Sequence, residues 1–434
     1  MRIWSDPFRR RWLVFAVLAT TYATVSIYRL STAVLADQLL TAFDISATGL
    51  GTLHAAFFYI YAVMQLPAGV LADRWGSRGT VVAGTAVMSV GGLAFGLADS
   101  YLAAFAGRTL VGLGGSVLFV AILRFCANWF QPSEFARMSG LTMAVAGFGG
   151  ILATTPLAVV VGTAGWRPTM IGLGAFGVLL ALLALALVRD SPAAAGLDAI
   201  EGVPAPGTPS LRQIGRNALV VLQERETWLV GVMMFFGTGV NITVFGLWGV
   251  PYVVQTYGVS VARASVYTLV GSAGLLVGPP ALGALSDRLG ARTPVMVAGQ
   301  VVFVASFATL ALVGAPPLPV VGLVFFLAGS LAGTFALGYT VVKERHAGEA
   351  SGVSTGTVNT MAFVGAAVFP TVMGAILDVY ATGQVNGTTA YSVVGYQYAF
   401  GIASVAGLLA LGCTTWLHLR TRHERQVPGA AAGD

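Results

Sequence analysis

The chain has 434 residues with a mean hydropathy of +0.81, and 56% of them are hydrophobic whereas only 9% carry a charge. A water-soluble domain keeps roughly a quarter to a third of its surface charged, so 23 basic and 17 acidic residues exclude a soluble globule of this size. Two cysteines, both within apolar runs, exclude a disulfide framework, and four scattered histidines do not form a zinc cluster. The net charge of +6 comes from arginines in short gaps between apolar runs, and this distribution does not indicate a nucleic-acid-binding surface.

Twelve apolar runs are long enough to cross a bilayer, since a helical crossing takes about 20 mostly apolar residues. The first six lie near 12–36, 47–72, 80–98, 101–127, 136–162 and 167–188. The other six lie near 227–256, 264–286, 293–314, 318–342, 350–377 and 391–418. The proline-rich stretch 191–226 predicts a linker between them. We therefore expect an all-α membrane protein with six-helix bundles over 1–190 and 227–420 and a short tail over 421–434.

The positions of the basic residues predict the orientation of these spans. Twelve spans put both termini on one side, and 19 of the 23 basic residues fall on that side. Because basic residues near helix ends resist translocation, we expect both termini in the cytoplasm. We also expect a monomer in the inner membrane of a prokaryotic cell, surrounded by lipid, with a small-molecule substrate, no cofactor, no metal and no nucleic-acid partner.

One ten-residue pattern occurs twice. GVLADRWGSR, at 69–78, follows span two, and GALSDRLGAR, at 283–292, follows span eight. The same offset of 214 residues carries Pro156 to Pro370. The chain is therefore predicted to contain two copies of a six-helix unit, and parallel repeats of this kind are typical of transporters.

The repeated pattern G-x-L-x-D-R-x-G-x-R resembles the signature loop of the major facilitator superfamily, and the resemblance extends over the whole chain. The segment RTLVGLG at 108–114, in span four, is similar to a second, looser signature of that superfamily. The resemblance implies two pseudo-symmetric six-helix bundles that open a central site alternately to each side. Within the superfamily, the segments 28–30, 128–130 and 189–197 resemble the organophosphate:phosphate antiporters and their organic-anion relatives.

Arg29, inside span one, is the sharpest candidate for substrate contact. A guanidinium in the hydrocarbon region costs about 3 kcal/mol or more, so it is kept where it meets a partner or a wet cavity. Tyr22, Ser26 and Asp37 share its helix face, and its planar fork suits a carboxylate or phosphate. The resembled antiporters add an arginine from span seven, but that span has no basic residue, and the 214 offset carries Arg29 to Thr243. The alternative is a structural role, with Asp37 or backbone carbonyls as partners.

Polar side chains in three other spans are further candidates for substrate contact, because spans two and seven line the cavity in the resembled family. They are His54 and Tyr61 in span two, Asn241 and Trp248 in span seven, and Asn359 in span eleven. The alternative is helix packing, since polar side chains also join membrane helices. No span has a carboxylate at its centre, so a coupling proton would need His54, Asp37 or the substrate's own charge. Exchange for a counter-substrate or gradient-driven uniport is the simpler expectation.

The two signature loops carry charges that predict a gate. These are Asp73, Arg74 and Arg78 after span two, and Asp287, Arg288 and Arg292 after span eight. Such charges can bond to the ends of neighbouring helices, close the cytoplasmic face and release on switching. Arg108 shares a face of span four with Gly112 and Gly115, where a close neighbouring helix offers carbonyl acceptors, so we expect a structural or gating role for it.

The sequence thus predicts a secondary active transporter that moves a small organic anion by alternating access. Two alternatives stay open: a transporter of a neutral or zwitterionic metabolite or a drug exporter, and a membrane sensor that binds its ligand without moving it. A cationic drug would need a buried anion as its partner, and the tail after Trp416 contains no signalling domain. No nucleophile and base pattern indicates an enzyme.

Overall fold

The described part of the chain is almost entirely helical in the computed structural model, which describes residues 6–198, 200–203, 216, 219–345, 350–385 and 388–426. Within these ranges, 11 helices are long and apolar enough to cross a membrane. A further crossing is formed by Ala47–Val63 and the first part of Gln65–Gly96, which breaks at Gly76 and returns as span three. The predicted all-α membrane fold is therefore confirmed.

The N-terminal half contains spans one to six, several of which consist of two helices. Their bounds are Pro7–Leu30 and Thr32–Phe43 for span one, Ala47–Val63 for span two, Gln65–Gly96 for spans two and three, Tyr101–Ser116 and Leu118–Trp129 for span four, Pro132–Leu152 and Thr155–Ala164 for span five, and Trp166–Leu187 for span six. A short 3₁₀ turn, Ala193–Ala195, follows. Except at its ends, a helix satisfies its backbone groups internally, which lipid requires of a spanning segment.

The C-terminal half contains spans seven to twelve. Their bounds are Arg225–Thr243, the π-helical turn Val244–Trp248 and Gly249–Tyr257 for span seven, Val261–Leu289 for span eight, Arg292–Val313 for span nine, Leu318–Ser330 and Ala332–Arg345 for span ten, Ala350–Val379 for span eleven, and Val393–Gln426 for span twelve. Between the last two spans, Ala381–Val385 and Thr388–Tyr391 pair as an antiparallel hairpin. This hairpin is a local exception to the all-α expectation.

Serine side chains fix where several spans begin. Ser46, Ser100 and Ser260 each accept a hydrogen bond from the backbone N–H three residues ahead, at 3.3 Å, at the start of spans two, four and eight. A side-chain oxygen in this position satisfies one of the donors that a helix start leaves open. The three caps lie on the same side of the bundle, which we call the far face; the side where span one begins and span twelve ends is the terminal face.

The two halves are sealed together at the far face. The Asp378 carboxylate, at the end of span eleven, accepts hydrogen bonds from the backbone N–H groups of Ala47 and Thr48, at 2.7 and 2.9 Å, and from the Thr48 hydroxyl at 2.5 Å. A Cβ atom on Gly51 would lie 2.3 Å from the carbonyl oxygen of Pro370, so glycine is needed for this close approach of spans two and eleven.

Cross-half hydrogen bonds continue from the far face toward the middle of the bundle. The Ser265 hydroxyl donates to the Thr155 hydroxyl at 3.2 Å, and the Asn359 amide donates to the Gln65 side-chain oxygen at 2.7 Å. Among pairs of described residues, no hydrogen bond or ion pair joins the halves nearer the terminal face. The polar contacts between the halves, among the described residues, therefore lie at the far face and in the middle of the bundle.

Candidate functional site

Arg29 lies in a polar cluster between the two halves, at the last turn before span one breaks at Ser31. Its guanidinium donates a weak hydrogen bond to the Ser26 hydroxyl at 3.5 Å. Tyr22 and Tyr61, both buried, interact with each other and with the Arg29 charge. Of the residues predicted from the sequence, the structure therefore brings Arg29, Ser26, Tyr22 and Tyr61 together.

The second side of this cluster is a chain of neutral polar groups that crosses between the halves. The Tyr339 hydroxyl donates to the Asn359 side-chain oxygen at 2.6 Å, and the Asn359 amide donates to Gln65. The Gln65 amide in turn donates to the Tyr61 carbonyl at 3.3 Å. Gln65, Tyr339 and Asn359 each keep part of their surface accessible although they lie inside spans. Asn359 was predicted as a binding residue, and Gln65 lies on the same predicted stripe of span two as His54 and Tyr61, whereas Tyr339 was not predicted.

Arg29 has no carboxylate partner among the described residues. Asp37, the acid on its predicted helix face, lies instead near the far face, where it interacts electrostatically with Tyr391 and Tyr396. The predicted alternative of an Arg29–Asp37 ion pair is therefore not formed in this conformation. A half-buried cation with one weak neutral partner has strong donors left to bind an anion.

His54 lies beside this cluster and is completely buried. Its ring packs on Phe58 at 5.1 Å between ring centres, and its Nε2 lies 3.2 Å from where a Cβ on Gly246 would be, in the π-helical turn of span seven. Neither ring nitrogen has a hydrogen-bond partner among the described residues. Span two and span seven thus meet at a histidine whose polar atoms are unused in this conformation.

The two candidates in span seven are engaged in packing within the C-terminal half. The Asn241 amide donates to the Ala328 carbonyl in span ten at 2.8 Å, and the Trp248 indole N–H donates to the Pro370 carbonyl in span eleven at 3.1 Å. Both side chains are buried. The Asn241 amide and the Trp248 indole N–H therefore each already donate a hydrogen bond in this conformation, and their contact with substrate stays a prediction.

Arg108 lies inside the N-terminal half, against the break in span one. It is buried, and its guanidinium donates to the Tyr28 carbonyl at 2.9 Å while stacking near the rings of Phe57 and Phe95. The Ser31 hydroxyl also donates to the Tyr28 carbonyl, at 3.0 Å. Arg108 thus bonds to the peptide group that directly precedes Arg29, and its structural or gating role stays a prediction.

The signature loop of the N-terminal half is attached to neighbouring helix ends. Asp73 forms an ion pair with Arg124 at the end of span four. Arg78 donates its backbone N–H to the Asp190 carboxylate and its guanidinium to the Leu185 carbonyl, both at 2.9 Å. Asp190 was not among the predicted loop residues.

Gly76, the second glycine of this loop, stands where a residue with a side chain would not fit. Its φ of 72° is unfavourable for a residue with a side chain, and a Cβ here would lie 2.5 Å from the Asp190 carboxylate.

In the loop of the C-terminal half, an arginine of the loop pairs with an acidic residue at a helix end, whereas in the N-terminal half an aspartate of the loop pairs with an arginine. Arg292 pairs with Asp287 of its own loop and with Glu344 at the end of span ten, at 3.2 Å. Arg288, like Arg74 in the other half, is exposed. All ion pairs found among the described residues of the two loops lie within one half. These contacts attach each loop to its own bundle, and a gating role stays a prediction.

Two six-helix halves that meet around a polar cluster are the architecture of membrane transporters of the alternating-access type. The sequence pattern of the Major Facilitator Superfamily matches residues 12–370 and, in a second match, residues 228–433. The chain therefore belongs to the major facilitator superfamily and is a transporter, not an enzyme.

Several transporters and solved structures are similar to the chain. A "Probable sulfoacetate transporter" of Cupriavidus necator is 26% identical over 86% of this chain and 89% of its own length. A "Hexuronate transporter" of Bacillus subtilis is 26% identical over 85% and 86%. The crystal structure of a bacterial homologue of the human lysosomal transporter Spinster, inward-facing and unoccupied, superposes with a TM-score of 0.76 at 18% identity, covering 95% of this chain and 97% of that one.

Proposed function

We propose that the chain carries a small organic acid across the membrane, with Arg29 holding the acid group. The observation that carries this proposal is the half-buried guanidinium, whose sole hydrogen bond among the described residues is the weak one to Ser26. The relatives support the same class of cargo, because their names assign sulfoacetate, hexuronate and galactarate or glucarate to them. A bidentate bond from Arg29 to the acid group would provide the missing negative charge.

The neutral side of the cluster supports a cargo with hydroxyl groups. Gln65, Tyr339 and Asn359 offer amide and phenol groups that both donate and accept hydrogen bonds. A cargo hydroxyl can replace the direct bond between Gln65 and Asn359 and so connect the two halves through itself. Because substrate contacts would then span both bundles, binding would favour the occluded arrangement between the two open states.

A single arginine favours a carboxylate or sulfonate over a phosphate ester. A phosphate ester carries about −1.5 to −2 charges at neutral pH, and one guanidinium balances only one of them. The resemblance to the organophosphate:phosphate antiporters therefore supports the fold and the place of Arg29, while we propose a singly charged acid group as the cargo's anchor.

Orientation and coupling complete the proposal. The excess of basic residues at the terminal face supports a cytoplasmic location of both termini in an inner membrane. In that orientation the contacts of Asp378 with span two lie on the side away from the cytoplasm. Exchange against a second organic acid needs no titratable group within the spans, whereas symport with a proton would use His54, the buried histidine beside the cluster.

Ligand-dependent thermal stability of the purified chain tests this assignment. We expect small hydroxylated carboxylates to raise the melting temperature, because a ligand that binds only the native state stabilises it by mass action. In Arg29→Gln the dissociation constant should rise at least about tenfold, as expected for the loss of a charged hydrogen bond. Arg263→Gln, an exposed arginine at the far-face start of span eight, is the matched control and should bind normally. Equal affinity in the Arg29→Gln variant and the unmodified chain would refute the assignment.

A further inference from the structure

A second basic site lies in the C-terminal half, away from the central cluster. A cavity of about 350 Å³ opens at the terminal face where spans nine, ten and twelve meet. Its charged wall residues are Arg292, Arg345, Arg422 and Glu344, and His418 and Thr421 also line it. We call it the basic cavity. Its volume lies within the range of about 300–1,000 Å³ that is typical of pockets for small molecules.

The charges around the basic cavity leave a positive excess. Three arginines and one glutamate line it, and the glutamate is already paired with Arg292. Arg345 lies 4.0 Å from Glu226, which also pairs with Arg420 at 3.3 Å. Arg422 forms no ion pair with any described residue. Within the part of the chain whose side chains the structure describes, an anion that enters the cavity therefore meets at least one arginine with no acidic partner to displace.

Two further features favour an anion at this place. Span nine begins in the cavity wall, at Arg292, and the first turn of a 22-residue helix carries partial positive charge. The His418 Nδ1 and the Thr293 hydroxyl are 2.8 Å apart, which fixes the histidine ring against the wall. The cavity is thus held in shape by the protein itself.

Two residues exposed to lipid lie at the level of the basic cavity, on another face of span twelve than its wall. Trp416 and Leu419, in the same turns of span twelve, are each 59% exposed. On a spanning helix, exposed apolar side chains contact lipid tails, and tryptophan is enriched at the level of the headgroups. Basic pockets between spans at this level can bind the phosphate of a lipid headgroup.

We propose that the basic cavity binds a phosphate group, with Arg422, Arg345 and the start of span nine as its donors. A phosphodiester of an anionic membrane lipid and free inorganic phosphate share this chemistry. In the first case the headgroup would enter the cavity from the membrane surface. The site is separate from the cargo cluster, so its occupancy affects stability without requiring Arg29.

The test measures the melting temperature of the purified full chain in detergent with phosphatidylglycerol, phosphatidylcholine or inorganic phosphate added. Stabilisation by phosphatidylglycerol beyond that by phosphatidylcholine identifies a lipid headgroup; stabilisation by inorganic phosphate alone identifies a soluble phosphate. Arg422→Gln should weaken the effective probe about tenfold, and Arg422→Lys should restore part of the binding.

The matched control is Arg288→Gln, which removes the same charge from an exposed position at the same face but outside the cavity. It should leave the response unchanged. Each variant is compared with its own ligand-free melting temperature, so a change in basal stability does not obscure the result. An equal response to both lipids with none to phosphate, or equal weakening by the Arg288→Gln and Arg422→Gln variants, would overturn the proposal.

Discussion

Asp378 should control how readily the far face opens. Its carboxylate accepts three hydrogen bonds across the halves, two of them from the first backbone N–H groups of span two. Asp378→Asn keeps the shape of the side chain but replaces one acceptor oxygen by an NH₂ group. In either orientation of the amide, one donor of span two then faces another donor, and the negative charge at the helix start is lost.

The size of the effect follows from these bonds. Hydrogen bonds to a charged group contribute about 1.5–3 kcal/mol, and Asp378 is half-buried, so the substitution should destabilise the sealed far face by about 2 kcal/mol. The bonds exist only when the far face is closed, so the whole loss acts on the equilibrium between the two open states. A change of 2 kcal/mol corresponds to about a 30-fold larger outward-open fraction.

Cysteine labelling from the far face measures this fraction. Thr371 contacts Thr52 across the seal at 3.4 Å and is only partly exposed, so closed halves slow the labelling of a cysteine in its place. In a background with Cys126 and Cys413 replaced by alanine, a membrane-impermeant maleimide should react about 30-fold faster in the Asp378→Asn variant.

The control for this experiment is Asp99→Asn. Asp99 is an almost fully exposed far-face acid whose ion pair, with Arg167 at 4.0 Å, stays within the N-terminal half. It should not change the labelling rate. If the Asp378→Asn and Asp99→Asn variants label at the same rate, the carboxylate does not hold the far face closed and the reasoning fails.

Two further predictions concern backbone positions that the structure explains. Gly76→Ala should lower the free energy of unfolding by about 2 kcal/mol, because the φ of 72° and the nearby Asp190 carboxylate exclude a Cβ. Melting curves measure this loss. The control variant Gly69→Ala should show no such loss, because a Cβ at Gly69 meets nothing within 4 Å. Arg108→Met should weaken cargo binding about fivefold, on the order of 1 kcal/mol, because it releases the peptide group before Arg29. The shift of the melting temperature with ligand concentration measures this affinity. An unchanged affinity would show that Arg108 does not position Arg29.

The sequence was sufficient for the architecture because membrane spans are encoded locally. Uninterrupted apolar runs, the 214-residue offset between the two signature loops and the position of Arg29 each depend on short segments of the chain. A helix face could also be predicted from spacing, which is why Tyr22, Ser26 and Arg29 were grouped correctly. The structure confirms the helical fold, and the sequence comparisons confirm the superfamily.

The remaining features depend on contacts between segments far apart in the chain. Tyr339 and Gln65 join the cluster through Asn359, and no local pattern shows which faces of spans two, ten and eleven meet. Asp378 could be placed near the far face, but its bonds to span two require the folded arrangement of both halves. For the same reason Asp37, on the predicted face of Arg29, lies apart from it once span one breaks at Ser31.

Uptake of a labelled hydroxylated carboxylate into liposomes that contain the purified chain tests the central claim most directly. We predict uptake that saturates, that is strongly reduced in the Arg29→Gln variant, and that persists in the Arg263→Gln variant. Uptake of a neutral solute at equal rates in the Arg29→Gln variant and the unmodified chain would contradict the role of Arg29. Saturable binding of the carboxylate without any uptake would contradict transport of this cargo and favour a sensor.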